Sequence, residues 1–312
     1  MEYYRTARRL YVSEGRQAIS EFFPFAEEKL AAGLVGQGSE CFGYDDAISA
    51  DHDFTPGFCV WLSDEDYDRY GETLQEVYDS FIDNISSKGT GERKSIGAGK
   101  RRGVFSVSGF YESLIGCPGV PESNLIYMAI PQYALAEATN GWVFEDRSGE
   151  FSAVRTELLK GYPDDVRKAK LASSLLQMAQ SGQYNFTRCI NHGENAAAAM
   201  ALYTFVRESI KAAFLLEHSY APYYKWAFRR LKEIPGMNLL CSSLEYILLG
   251  DNEAGLISRK TRAVERVAAY FINRLKDEGL SASSSSYLEP HAYEVRAGIE
   301  DSELKGISIF AD

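Results

Sequence analysis

The sequence is short of the residues that build a disulfide or zinc framework. Its five cysteines, Cys41, Cys59, Cys117, Cys189 and Cys241, are scattered, odd in number and free of any Cys-x-x-Cys pair, which excludes both arrangements. No apolar run approaches the roughly 18 residues of a membrane-spanning helix, and Met1-Glu2-Tyr3-Tyr4-Arg5 does not open like a signal peptide. A cytoplasmic protein without a membrane partner is the expectation. Basic charge is also in deficit, with 33 Lys and Arg against 44 Asp and Glu for a formal net charge of −11. That balance argues against an extended nucleic acid held by phosphate neutralisation and fits a cationic substrate better. There is no internal repeat. What the chain does have is size: 312 residues at 45% hydrophobic content suffice for two ordinary globular domains.

One stretch looks built for chemistry. Residues 36–54 read Gly-Gln-Gly-Ser-Glu-Cys-Phe-Gly-Tyr-Asp-Asp-Ala-Ile-Ser-Ala-Asp-His-Asp-Phe. Gly38 and Ser39 end an apolar segment, and eleven residues separate Ser39 from Asp51, with Asp53 two positions on. On an extended chain, side chains at i and i+2 share a face. Two carboxylates held there repel one another, and a hard, oxygen-seeking cation relieves the repulsion. Magnesium, which keeps several waters and shares its shell with substrate phosphates, is the expected ion. The Gly38-Ser39 turn adds backbone N–H groups and a hydroxyl, a small concave anion site.

At these residues the sequence resembles the nucleotidyltransferase superfamily that includes DNA polymerase beta and the aminoglycoside nucleotidyltransferases. That family's pattern is an apolar residue, Gly, Gly or Ser, a spacer, then Asp, apolar, Asp or Glu, apolar. Gly38, Ser39, Asp51, His52, Asp53 and Phe54 follow it, with His52 where an apolar residue is usual. The longer wording looks like a little-characterised bacterial subgroup. The resemblance implies transfer of a nucleoside monophosphate from a nucleoside triphosphate, ATP foremost, to an acceptor hydroxyl. Asp51 and Asp53 would be metal ligands and catalytic groups, and Gly38 and Ser39 would grip phosphate. Strand alternation sends the His52 imidazole away from the metal, which suits a structural histidine.

The family usually places a third carboxylate on a later strand. Val104 to Phe110 reads as an apolar strand and contains none, whereas Trp142-Val143-Phe144-Glu145-Asp146 ends in two acids. Glu145 is the first choice for the general base, with Asp146 and Glu112 behind it; each also reads as an ordinary turn or surface residue. If none of them serves, the chain is a non-catalytic nucleotide-binding or partner-binding protein that keeps the fold.

The remaining pattern predicts an α+β architecture, a small mixed β-sheet followed by a C-terminal helical bundle. Residues 1–150 form the nucleotidyltransferase-like domain and 151–312 the bundle. Amphipathic helix is expected over residues 1–32 and, from the Ser63/Asp66 start signal, to about Ile85, with the sheet covered by helices on one side. Residues 86–103, rich in glycine, lysine and arginine, fail the Walker A pattern and read as a solvated loop, with a loop folded over a triphosphate as the alternative. Further helices are expected from Ala153 to Lys160, from Pro163 to about Gln180, over 195–217, 222–232 and 258–278, and after Tyr287. The serine run 281–286 reads as a flexible hinge. Within the bundle, Tyr224 and Lys225 in Tyr223-Tyr224-Lys225-Trp226 could stack a base and meet a phosphate. The layout resembles the aminoglycoside-type enzymes, which implies substrate in an inter-domain cleft and Lys170, beside Lys168, directed at the triphosphate. The acceptor, small molecule or protein, is left open.

Overall fold

The computed structural model describes residues 2–24, 26–46, 57–86, 100–250 and 254–310. The Asp51-His52-Asp53 stretch and most of the basic glycine-rich segment, residues 87–99, lie outside the described residues. The fold is α+β: a small mixed sheet followed by a helical region. The chain divides into two compact units, residues 1–120 with 134–159, and residues 121–133 with 160–312.

The first unit is built on four strands, β1 (Ala31–Leu34), β2 (Cys59–Leu62), β3 (Gly103–Ser106) and β4 (Trp142–Asp146), in the order β3-β2-β1-β4. β1 pairs antiparallel with both β2 and β4, and β2 pairs parallel with β3. Helix α1 (Glu2–Leu10) runs through a π turn at Tyr11–Gly15 into α2 (Arg16–Phe22). α3 (Asp64–Ser86) begins where the sequence signals it, with the Ser63 hydroxyl accepting from Asp66 N–H at 3.2 Å.

Period-two alternation sorts the strand residues onto two faces. Ala32, Val60 and Val104 point to one face and form a core with Tyr11 of the π turn, Ile19 of α2 and Leu74 and Tyr78 of α3. On the other face Trp61 stacks on Phe151 at 3.8 Å and meets Phe110 edge-on at 5.3 Å. These rings belong to α4 (Val107–Ile115) and α5 (Glu150–Leu158). Helices therefore cover both faces, not one as the element order suggests. The expected strand from Val104 to Phe110 is likewise half helix. It ends at Ser106, whose hydroxyl accepts from Gly109 N–H at 3.0 Å and caps α4. Gly33 lies beside a β-bulge, where a Cβ would meet Trp142 O at 2.5 Å and the Trp61 ring at 3.0 Å. Only glycine lets β4 and the indole approach this closely.

The second unit is helical: α6 (Asp164–Met178), α7 (Asn195–Leu216), α8 (Tyr224–Glu233), α9 (Asn238–Leu249), α10 (Ala254–Asp277) and α11 (Leu288–Ala297), with shorter helices between. α6 packs against α7 and α11. The serine run is not a hinge. Ser281 is buried, and its hydroxyl donates to Glu294 and lies 2.7 Å from His291 Nδ1, while His291 Nε2–H donates to Ser285 O at 2.9 Å. Ala282 and Ser283 N–H groups donate to the same Glu294 carboxylate, at 2.8 and 3.0 Å. Serine composition allows a flexible chain, but these local bonds to α11 lock it. Among the described residues no helix is long and apolar enough to cross a membrane.

Candidate functional site

The Gly36-Gln37-Gly38-Ser39 turn leaves the end of β1, and its shape comes from three supports. Gly36 N–H donates to Asn140 Oδ1 at 2.9 Å, and Asn140 Nδ2 donates back to Gly36 O at 2.8 Å, so one side-chain amide pairs with the backbone as a neighbouring strand would. Asn140 is itself placed by Arg155 of α5, whose guanidinium reaches the carbonyls of Thr139, Asn140 and Gly141 at 2.8, 3.1 and 3.4 Å. From the β3 side comes Arg102. Its Nη2 donates to Glu40 Oε1 at 2.6 Å, Cys41 Sγ at 3.1 Å and Gln37 O at 3.5 Å. Third, Ser39 O accepts from Tyr44 N–H at 2.8 Å, closing the short 3-10 turn Ser39–Phe42.

Gly38 sits at φ +119°, ψ 149°, a region essentially reserved for glycine. A Cβ there would meet the Glu40 carboxylate at 2.4 Å. The Arg102–Glu40 pair is out of solvent, with side chains 3% and 18% exposed. Burial pushes the Cys41 thiol up to about 12, so near neutral pH it is uncharged and Glu40 balances the guanidinium. Arg102 Nε is buried and has no hydrogen-bond partner among the described residues. Burial also raises the Glu137 carboxyl, opposed by a hydrogen bond from Gln37 and by the charge of Arg101. Glu137 lies on the helix Gln132–Thr139, just before Asn140. The turn thus carries a raised carboxyl on one side and a buried cation on the other. The 3-10 turn takes its first backbone bond at Cys41 N–H, donated to Gly38 O at 3.2 Å.

Of the residues singled out from sequence, Gly38 and Ser39 stand in this turn, while Asp51 and Asp53 lie outside the described residues. In sequence Asp53 precedes the start of β2 at Cys59 by six positions. Glu145 is on β4, opposite Ala32 of β1 and not beside β2. Its carboxylate accepts from the Tyr11 hydroxyl, presented by the π turn, and lies 3.8 Å from Arg16 and 3.9 Å from Arg147. This is the geometry of a strand-to-helix tie. Asp146 accepts from Gly149 and Ser152 N–H groups at 2.8 and 2.7 Å, at the start of α5. Glu112 is an exposed residue of α4.

Lys170, Tyr224 and Lys225 belong to the second unit. Lys170 is buried on α6, donates to Met128 O at 2.8 Å and lies 5.4 Å from the Tyr162 ring. It forms part of the wall of a cavity of about 620 Å³, which Tyr224, 72% exposed, also lines. Lys225 is exposed on α8 with its ammonium 5.4 Å from the Trp226 ring. Lys168 is taken up by Asp164, at 2.7 Å, and by Gly298 O, at 2.8 Å.

Sequence reasoning missed Arg102, Asn140 and Glu137. Arg102 is hidden in a stretch whose composition reads as solvated loop, and a buried arginine has no local signal. Asn140-Gly141 carries a turn signature, but a turn motif does not say what the asparagine side chain grips.

Residues 127–227 match a family described as a domain of unknown function, DUF4037. The matched segment contains the cavity-lining residues from Met128 to Ala227. No curated protein matches the chain. Among solved structures the chain is similar to a nucleotidyltransferase-like protein from Exiguobacterium sibiricum 255-15, at 11% identity and a TM-score of 0.38, covering 85% of this chain and 76% of that one.

Proposed function

We propose that the chain transfers a nucleoside monophosphate from a nucleoside triphosphate, ATP foremost, to an acceptor hydroxyl. The acceptor oxygen bonds to the α-phosphorus, the bond from that phosphorus to its bridging oxygen breaks, and pyrophosphate leaves. The observation that supports this reading most is the pinned glycine-serine turn at the end of β1, with Gly38 in a conformation only glycine holds, followed in sequence by Asp51 and Asp53. A turn fixed by Asn140 and Arg102 can present N–H groups and the Ser39 hydroxyl to phosphate oxygens without reorganising at the moment of reaction.

Asp51 and Asp53 are hard oxygen donors of the kind Mg2+ prefers, and the ion would neutralise phosphate charge when bound. For the acceptor proton the reading takes Glu137 in preference to Glu145. Glu137 is hydrogen-bonded to Gln37 of the turn, and burial raises its carboxyl above the ordinary value, the direction that makes a carboxylate a better proton acceptor. Glu145 is held by Tyr11 and two arginines.

A second reading, a nucleotide-binding or partner-binding protein without turnover, draws support from β3. That strand neighbours β2 and contains no acid. The test is incubation with magnesium and ATP labelled at the α-phosphate, in the presence of a small-molecule extract and a protein extract in separate arms. Label entering an acceptor together with an equal amount of pyrophosphate, and lost in Asp51→Asn/Asp53→Asn, supports transfer. ATP binding without any pyrophosphate in either arm supports the second reading.

A further inference from the structure

We propose that the cavity of the second unit is a binding site for a small molecule with a flat apolar body and an anionic group. The inference does not depend on nucleotidyl transfer. The cavity's volume, about 620 Å³, falls in the range of roughly 300–1,000 Å³ typical of small-molecule sites. Its apolar wall is Val206 and Ile210 of α7 with Ala227 and Phe228 of α8. A body of fused or linked rings matches such a wall better than a sugar, whose hydroxyls would go unpaired.

Tyrosines gather along the lining. Tyr133 meets Tyr223 edge-on at 6.0 Å, Tyr223 lies 4.4 Å from Tyr224, and Tyr203 also lines the space. All four are exposed by more than 40%, an unusual outlay of aromatic surface that offers ring faces for stacking. Hydrogen bonding to Tyr224 raises the Tyr223 phenol, so it stays a protonated donor at neutral pH.

Charge picks the ligand's polar end. Lys170, Arg207 and Lys211 all line the cavity, and among the described residues no aspartate or glutamate does. Arg207 and Lys211 are four residues apart and share one face of α7. Both charged groups are positioned by Glu208, which is fully buried, accepts from Arg207 Nε at 2.7 Å and from Ser174 Oγ at 3.1 Å, and lies 3.5 Å from the Lys211 ammonium. Three cationic side chains, and no carboxylate of the described residues, thus stand on the lining itself inside a chain of net charge −11. A site that concentrates positive charge against the sign of its own protein selects an anion.

The test uses two fluorescent probes with nearly the same rings, 8-anilinonaphthalene-1-sulfonate and the uncharged N-phenyl-1-naphthylamine, titrated against the full chain. The expected result is saturable binding at one site per chain, with the sulfonate bound about tenfold more tightly. Arg207→Gln should cut that preference severalfold and leave the uncharged probe unaffected. Ala227→Trp should remove both probes. Tyr224→Ala, at an exposed position that the fold does not need, should weaken both and guards against a misfolded Ala227→Trp chain. Equal affinity for the two probes, a preference untouched by Arg207→Gln, or binding undiminished in both Ala227→Trp and Tyr224→Ala overturns the proposal.

Discussion

The turn of the first unit and the cavity of the second are built from opposite materials. The turn is backbone: its shape is Gly36 and Gly38 at positive φ, held by one asparagine amide and one guanidinium. The cavity is side chain, four tyrosines and three cations, all but Tyr223 projecting from helices. Backbone sites leave a mark in sequence, because glycine is needed at set positions. Side-chain sites gathered from separate helices leave almost none. The same contrast governs how each should fail, since a backbone site breaks sharply when its supports go and a side-chain site loses affinity by degrees.

The largest expected effect is at Arg102. Removing one partner of a buried ion pair strands the other, so Arg102→Met should destabilise the protein by about 3–5 kcal/mol. Urea unfolding measures this, and adding Glu40→Leu should return a large part of the loss. Next is Gly38→Ala, where φ +119° and the Glu40 carboxylate both oppose a side chain. A cost of about 1–3 kcal/mol is expected, together with lost ATP affinity and unchanged binding of the naphthalene probes. Asn140→Ala, which orphans Gly36 N–H and O, should cost about 1–3 kcal/mol and weaken ATP in the same selective way. Loss of the Ser106 cap in Ser106→Ala is worth about 1 kcal/mol, seen as a lower thermal midpoint.

The smallest effect is a pH dependence in the second unit. The hydrogen bond from Ser281, with those from Ala282 and Ser283 N–H, lowers the Glu294 carboxyl below its ordinary value. A depressed carboxylate stabilises the fold fully above its unfolded pKa, about 4.3 for glutamate, and the contribution fades as pH falls through the folded value. The difference in thermal midpoint between wild type and Glu294→Gln should be constant above about pH 5.5 and shrink on acidification. A difference independent of pH would mean that these bonds do not discriminate the ionised form.

Much of the fold was legible in the residues. Trp142–Asp146 forms the strand its aromatic and β-branched run predicts, Ser63 and Asp66 start α3, and Asp164–Met178 and Asn195–Leu216 follow their helical signals. The errors share a cause, which is local composition overridden by contacts distant in sequence. Val107–Phe110 alternates like a strand, yet the Ser106 cap and the Trp61 ring draw it into a helix. Asn238–Leu249 went unrecognised as a helix because its apolar residues lack a clean polar face. The serine run is polar and simple in composition but serves α11 through Glu294 and His291.

At the site, Gly38 and Ser39 were readable as a spaced motif. Net charge and local charge point different ways: −11 for the whole chain fits a cationic substrate, whereas the described cavity gathers cations on its lining. Summed charge averages over surfaces and does not report a local field.

The central claim is that the glycine-serine turn and the Asp51–Asp53 pair act together on a magnesium-bound triphosphate. Calorimetric titration of ATP into wild type and into Asp51→Asn/Asp53→Asn, each with and without magnesium, tests it most directly. The account predicts binding by wild type that requires magnesium, and none by the double variant at an unchanged melting temperature. Equal binding by the two proteins, or binding by wild type indifferent to magnesium, would contradict it.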